Sequence, residues 1–249
     1  MKGEILEQRL KCAGNFKRFF FLQIFFFVAI YSTEIKILNP RDYLRNADGT
    51  IENIFFSPDD DGLISKLLIA LIDREQRSIK LTVWVFTDLE IAKALERAQA
   101  RGIKIEIIVD PTFWSLTSPL SFLHKRGVQI WMYRPAGTDE NYHEENIGLK
   151  MKMSSRVPIQ HNKFWIFERN FDSRPVLCTG SYNLTKKAKE KNEENMEFRS
   201  SPLAYKKFSV QFETIKKRSK LLPLNVKNDC CDKQNIDSEL IEEVSDIGF

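Results

Sequence analysis

Histidine is scarce in this chain: His124, His143 and His161 are the only three among 249 residues, and they lie far apart. His143-Glu144-Glu145 lacks the second histidine of a zinc-binding His-Glu-x-x-His helix, which excludes that class of metallohydrolase. Cysteine is equally sparse. Cys12, Cys178, Cys230 and Cys231 show no metal-ligand spacing, and adjacent cysteines seldom pair, so neither a zinc module nor a disulfide framework is expected. No pattern demands a metal or other cofactor. His124 reads as a structural residue on a helix face and His143 as one in a polar loop. Internal repeats are also missing, since His161-x-Lys163 occurs once.

Long apolar runs are lacking too. Phe19 to Tyr31, directly after Lys17-Arg18, has 13 residues, short of the roughly 20 that a comfortable membrane span needs. It suits the core of a signal peptide or a short anchor. Residues 1–32 are therefore expected to export the protein or attach it to a membrane, with a buried N-terminal strand as the alternative. At the other end, residues 225–249 carry seven acids against Lys227 and Lys233, which leaves the rest of the chain at +9 for an overall +4. The acidic tail, residues 223–249, is expected to be disordered. A basic body suits nucleic acid or an anionic membrane surface, although a plain lysine excess reads the same way.

The length allows one domain with a substantial core, placed at residues 51–222. Ile51 to Phe56 reads as a strand, and Gly62 to Arg77 as a helix with Ile64, Leu67, Leu68, Leu71 and Ile72 on one face. Ile79 to Phe86 is apolar on both sides, hence a central strand. Thr87-Asp88-Leu89-Glu90 has the form of a capping box, opening a helix that ends at Gly102, and Ile103 to Val109 gives the next strand. This order predicts a right-handed βαβ crossover and an α/β fold: a mixed, largely parallel sheet flanked by helices. A helix over Pro119–Arg126 and strands over Val128–Tyr133, Val176–Thr179 and Asn195–Arg199 follow. Arg134 to Pro158 is a long polar loop, read as the rim of a cleft. Pro202 to Leu222 is a lysine-rich amphipathic helix, with Leu203, Phe208, Phe212 and Ile215 facing in and Lys206, Lys207, Lys216, Lys217 and Arg218 facing out.

The chemistry concentrates in Gln160-His161-Asn162-Lys163-Phe164-Trp165-Ile166-Phe167-Glu168. As a β-strand, this segment places His161 and Lys163 side by side on one face, a nucleophile beside a positive charge. The turn Gly180-Ser181-Tyr182-Asn183 can bring a hydroxyl and an amide to the same place, and Glu194 a carboxylate to orient the imidazole. Such a set can hold and attack a phosphate. Phe164, Trp165 and Phe167 read as packing, with base stacking as the alternative.

His-x-Lys, four residues, an acid, and then Gly-Ser-x-Asn resembles the signature of the phospholipase D superfamily. Asn192, Glu194 and Asn195 are similar to its single-motif branch, which holds bacterial endonucleases and mitochondrial cardiolipin hydrolase-like nucleases. Phe56-Ser57-Pro58 and the segment up to Asp110 read like the first half of such a domain. Glu168 stands where the family has a structural aspartate, after which eleven residues, Arg169–Thr179, precede Gly180; Asp172 is a shifted alternative.

The resemblance implies a metal-independent phosphodiesterase without a cofactor, working through a phosphohistidine. It makes His161 the nucleophile or proton donor, assigns Lys163 and Asn183 to the phosphoryl oxygens, adds a hydrogen bond from Ser181, and gives Glu194 the imidazole tautomer. It also implies a homodimer, because two-motif members set one histidine on each side of the phosphorus and this chain supplies one. Nucleic acid is the first expectation for substrate. Phospholipid such as cardiolipin or phosphatidylcholine is the alternative, and a non-catalytic binding module the third.

Overall fold

The structure, a computed structural model, describes residues 38–114, 118–138 and 158–223. The apolar leader, His143, most of the 134–158 loop and the acidic tail lie outside the described residues. One eight-stranded sheet organises the part from Asn39 onward, with strand order β1-β7-β6-β5-β2-β3-β4-β8. In chain order the elements are α1 (Arg41–Leu44), β1 (Glu52–Ser57), α2 (Leu63–Arg74), β2 (Ser78–Val83), α3 (Leu89–Ala100) and β3 (Lys104–Val109). Then come α4 (Pro119–Lys125), β4 (Gln129–Met132), β5 (Phe164–Phe167), β6 (Val176–Gly180), α5 (Lys186–Glu190), β7 (Glu194–Arg199), α6 (Pro202–Arg218) and β8 (Lys220–Leu221).

The mixed α/β sheet expected from the sequence is present, and its parallel pairing is confined to β2–β3 and β3–β4. Those are the connections that carry a crossover helix, α3 or α4. The β5–β6 and β6–β7 connections carry only short turns of helix, too little to return the chain for parallel pairing, and those ladders are antiparallel. Strand β2 is central as expected, but it ends at Val83, which leaves Trp84 to Phe86 beyond it. The helix after it is capped by Asp88 rather than Thr87: the Asp88 carboxylate accepts from the backbone N–H groups of Glu90 and Ile91.

Alternation divides the sheet into two apolar faces. Ile108, Phe164, Ile166 and Leu177 pack with Phe212 and Ile215 of α6. The opposite face, with Leu81, Ile107, Trp165 and Phe167, is buried against the layer of α2, α3 and α4. Two expectations for α6 are corrected. Leu203 is 65% exposed, because the face turned to the sheet is set by Ala204, Phe208, Phe212 and Ile215 and Leu203 falls beside it. Lys216 does not face solvent: it pairs with the buried Glu106 of β3, and its Nζ lies 4.7 Å from the Trp131 ring centroid. The helix also stops at Arg218, and Lys220–Leu221 adds an edge strand to β4.

Burial acts most strongly on the Glu106 carboxyl and pushes its pKa up, but the hydrogen bonds and charges of Lys216 and Lys104 outweigh it and hold the value below the usual one. A depressed carboxylate stabilises the fold above its unfolded pKa and loses that stability as pH falls through the folded one. Lys216→Met leaves Glu106 with the exposed Lys104 alone. Urea unfolding at pH 7 should show a loss of about 3 kcal/mol, the low end for stranding a buried charge, and the deficit should shrink in acid as Glu106 protonates.

Candidate active site

One end of the sheet collects every residue proposed for chemistry. It is the end where β1, β2, β3 and β6 finish and where β5 and β7 begin. In open α/β sheets such strand ends form the natural crevice, because the helices and loops diverge there. Glu168 lies at the other end of β5, where it accepts from Ser78 Oγ at 2.5 Å and pairs with Arg77 at 3.0 Å. Asp172 is occupied by ion pairs to Arg41 and Arg45. Both acids serve the scaffold in this geometry, away from the histidine.

His161 and Lys163 precede β5 rather than lying within it, since the ladder with β2 starts at Phe164. The segment is nonetheless extended enough to bring the two side chains together. Lys163 Nζ sits 2.9 Å from His161 Nε2 and donates a second hydrogen bond of 2.9 Å to the His161 carbonyl. Lys163 is only 5% exposed, whereas His161 is open to solvent. An ammonium has no lone pair, so it acts as the donor and Nε2 is the acceptor. His161 is thereby neutral at Nε2, the state that a nucleophile requires.

Burial, with the Lys163 charge second, pushes the His161 pKa down, against a smaller upward pull from Glu194. Burial also pushes Lys163 down to about 8, again opposed by Glu194. Glu194 starts β7, and the ladder register puts its side chain on the same face as Lys163. Its carboxylate accepts from Asn192 Nδ2 at 3.4 Å and makes no hydrogen bond to the imidazole among the described residues. Glu194 therefore acts on the pair through its charge.

The turn after β6 is built by a close backbone approach. A Cβ on Gly180 would lie 2.1 Å from the Asn195 carbonyl oxygen, so only glycine lets β6 and β7 meet there. Ser181 N donates to the Asn195 backbone and side-chain oxygens at 3.1 Å each, and Asn195 N donates to Ser181 Oγ at 3.1 Å. Tyr182 is buried, with burial raising its phenol pKa, and it anchors the turn while Ser181 and Asn183 stay at the surface. Asn183 Oδ1 accepts from Val85 N at 3.3 Å, and Leu184 is hydrogen-bonded to Val85 and Thr87. The turn is thus tied to the segment beyond β2.

That segment contributes a wall that sequence reasoning missed. Trp84 lies with its ring centroid 4.8 Å from that of His161, tilted by 56°, and Lys163 Nζ is 5.4 Å from the indole. The readable signal was an aromatic residue at the very end of a central strand, which had been absorbed into the strand itself. His124 packs elsewhere: it sits on α4 against Trp114, edge to face at 5.9 Å. Among the described residues, no cluster of three or more His, Cys, Asp or Glu could hold a metal ion.

Trp84→Ala should readmit water around the pair. A cation–π contact contributes about 0.5–1 kcal/mol, less than one pKa unit, so rehydration outweighs loss of the ring. NMR titration of labelled protein should show the Lys163 midpoint rising from about 8 towards 10.5 and that of His161 rising towards 6.5. Unchanged midpoints would show that Trp84 does not shield them.

Comparison with known proteins agrees with this geometry. Residues 68–216 match the family model described as "Cardiolipin synthase, PLD-like domain". The chain is 26% identical over 159 residues to the mitochondrial cardiolipin hydrolase of Mus musculus, covering 64% of this chain and 60% of that protein. It is 31% identical over 170 residues to a phospholipase D of Rickettsia conorii, covering 68% of this chain and 69% of that one. The fold is similar to that of the phospholipase D family member Nuc from Salmonella typhimurium, with a TM-score of 0.53 and 22% identity over 69% of this chain and 97% of that one. It is also similar to NucT from Helicobacter pylori, with a TM-score of 0.54 and 23% identity over 68% and 96%. The chain belongs to the family of phospholipase D-like domains.

Proposed function

We propose that this protein is a phosphodiesterase that needs no metal and forms a phosphohistidine on His161. The observation that carries the reading is the 2.9 Å contact between Lys163 Nζ and His161 Nε2 at an open end of the sheet. It joins a neutral nucleophile to a cation poised for phosphoryl oxygens. When a diester enters, the ammonium transfers to a non-bridging oxygen, where developing charge attracts it more strongly, and Nε2 is released to attack phosphorus. The P–O bond to the leaving group breaks, with its electron pair on that oxygen. Water then attacks phosphorus, forming a P–O bond, and the P–N bond breaks with its electron pair on Nε2, which restores the imidazole. Asn183 Nδ2 is free to donate to the phosphoryl group, since Val85 uses only the Oδ1 side.

The leaving oxygen needs a proton, and His161 cannot both attack and protonate from the opposite side of phosphorus. A second copy of the chain would bring a second His161, protonated, to the same phosphorus. Its titration is then shared with the first. The roles exchange when water attacks. The assembly is a homodimer with one composite cleft.

For the substrate we infer nucleic acid first, supported by the lysines that run directly from the catalytic turn, Lys186, Lys187 and Lys191, on a basic body. Phospholipid is the second reading. Ile54 and Phe56, 48% and 58% exposed, stand across from Glu197 and Asn195 on the edge strand, an apolar border next to the Ser181 turn. Relatives named as cardiolipin hydrolase and phospholipase D support it too. The curated relatives extend further: the chain spans 52% of the dog cardiolipin hydrolase and 69% of the rickettsial phospholipase D. The Phe-rich leader supports export or attachment at a membrane, and among the described residues no helix is long and apolar enough to cross one.

Wild-type protein and His161→Ala, assayed in chelator on single-stranded DNA, plasmid and cardiolipin vesicles, decide between these readings. The expected result is cleavage by wild type alone, with Lys163→Ala and Asn183→Ala reduced on the order of 10²-fold. Activity that appears only with added divalent metal would contradict the mechanism, and cleavage of vesicles alone would transfer the assignment to lipid.

A further inference from the structure

The loop that carries His161 has no ladder of its own, yet it is held at three points by a buried polar network. Gln160 is 2% exposed, and its side chain reaches past His161 to Asn162. Its Oε1 accepts from Asn162 N at 2.8 Å and from Asn162 Nδ2 at 3.1 Å, while its Nε2 donates to the Asn162 carbonyl at 3.1 Å. The amide thus bridges the residues on either side of His161, satisfying both backbone groups of Asn162 as a neighbouring strand would. The Gln160 backbone is fixed in turn. Its N–H donates to Asp110 Oδ2 at 2.8 Å, and Asp110 is 0% exposed at the end of β3. Asp110 Oδ1 is used up by Thr112, accepting from its N–H at 3.0 Å and its hydroxyl at 2.6 Å.

Burying a carboxylate and an amide side by side is costly unless both are fully bonded. Apolar residues would fill the same volume without that cost, whereas this fully bonded network fixes the geometry of the loop. We propose that Asp110 and Gln160 are positioning residues that lock the His161 backbone at the end of β3, setting the imidazole against Lys163 and Trp84. The sheet reaches His161 from two sides: through β5, which anchors Lys163, and through Asp110, which anchors Gln160. A free loop would let the imidazole wander by an ångström or more, enough to cost on the order of 10²-fold in rate.

This inference rests on His161 being the nucleophile, and its test separates the two claims. Gln160→Ala removes the clasp. Asp110→Asn is close to isosteric but presents an NH₂ to one of its N–H partners. Both variants are compared with wild type by turnover per folded molecule, KM, and NMR titration of His161. The expected result is a loss on the order of 10²-fold in kcat with KM within about twofold, together with a rise of the His161 midpoint as the imidazole leaves the Lys163 charge and enters water. Unchanged kcat per folded molecule would overturn the proposal. A lower kcat with an unmoved midpoint would overturn it equally, since loss of stability alone does not part His161 from Lys163. Should wild type cleave none of the diesters, the assigned function fails, while the midpoint still judges the clasp.

Discussion

The contact between a buried ammonium and an open imidazole is the constraint on which the rest of this structure depends. Lys163 is held in a place where charge is disfavoured, and its ammonium donates to His161 Nε2 and to the His161 carbonyl, each at 2.9 Å. Neither group keeps its ordinary proton affinity, and the burial that lowers both also strengthens their attraction for a phosphate. The surrounding architecture is readable as the means of sustaining that arrangement. Strand β5 supplies a rigid floor, β6 and β7 close to backbone contact at Gly180, and Trp84 limits water on one side. Glu194 moderates the cost from beyond hydrogen-bonding reach.

Placement at the sheet end also explains the division of labour among the acids. Glu75 accepts from the N–H groups of Arg77, Ser78 and Arg169, and Glu168 pairs with Arg77, both at the end opposite His161. Glu106 faces α6 in the middle of the sheet. Glu194 and Asp110 lie at the His161 end, with Asp110 turned inward to the backbone, and Asp60, Asp88 and Glu190 lie close enough to the buried Tyr182 of the adjoining turn to raise its pKa. Among these, Glu194 is the carboxylate whose charge acts on both His161 and Lys163.

Much of this was legible in the sequence, and for identifiable reasons. The strands β1, β2, β3 and β6 have strong apolar patterning, and α3 and α4 carry clear caps and glycine stops, so their order could be read directly. The pair His161 and Lys163 was legible from its spacing, although the structure reaches the convergence through an extended loop rather than a strand. Less legible was anything decided by long-range partners. Lys216 looks solvent-facing because its partner Glu106 is 110 residues away, and the edge strand at Lys220 exists only because β4 leaves an open side. Trp84, Gln160 and Asp110 were missed because their importance lies in which loop they touch, and no local periodicity encodes that.

The account is tested most directly by trapping the covalent intermediate. Wild-type protein mixed with a phosphodiester, quenched in base to preserve the acid-labile P–N bond and digested, should yield one phosphorylated peptide with the phosphoryl group on His161. A phosphoryl group on another residue, or steady turnover with no modified peptide under conditions that trap authentic phosphohistidine, would contradict it.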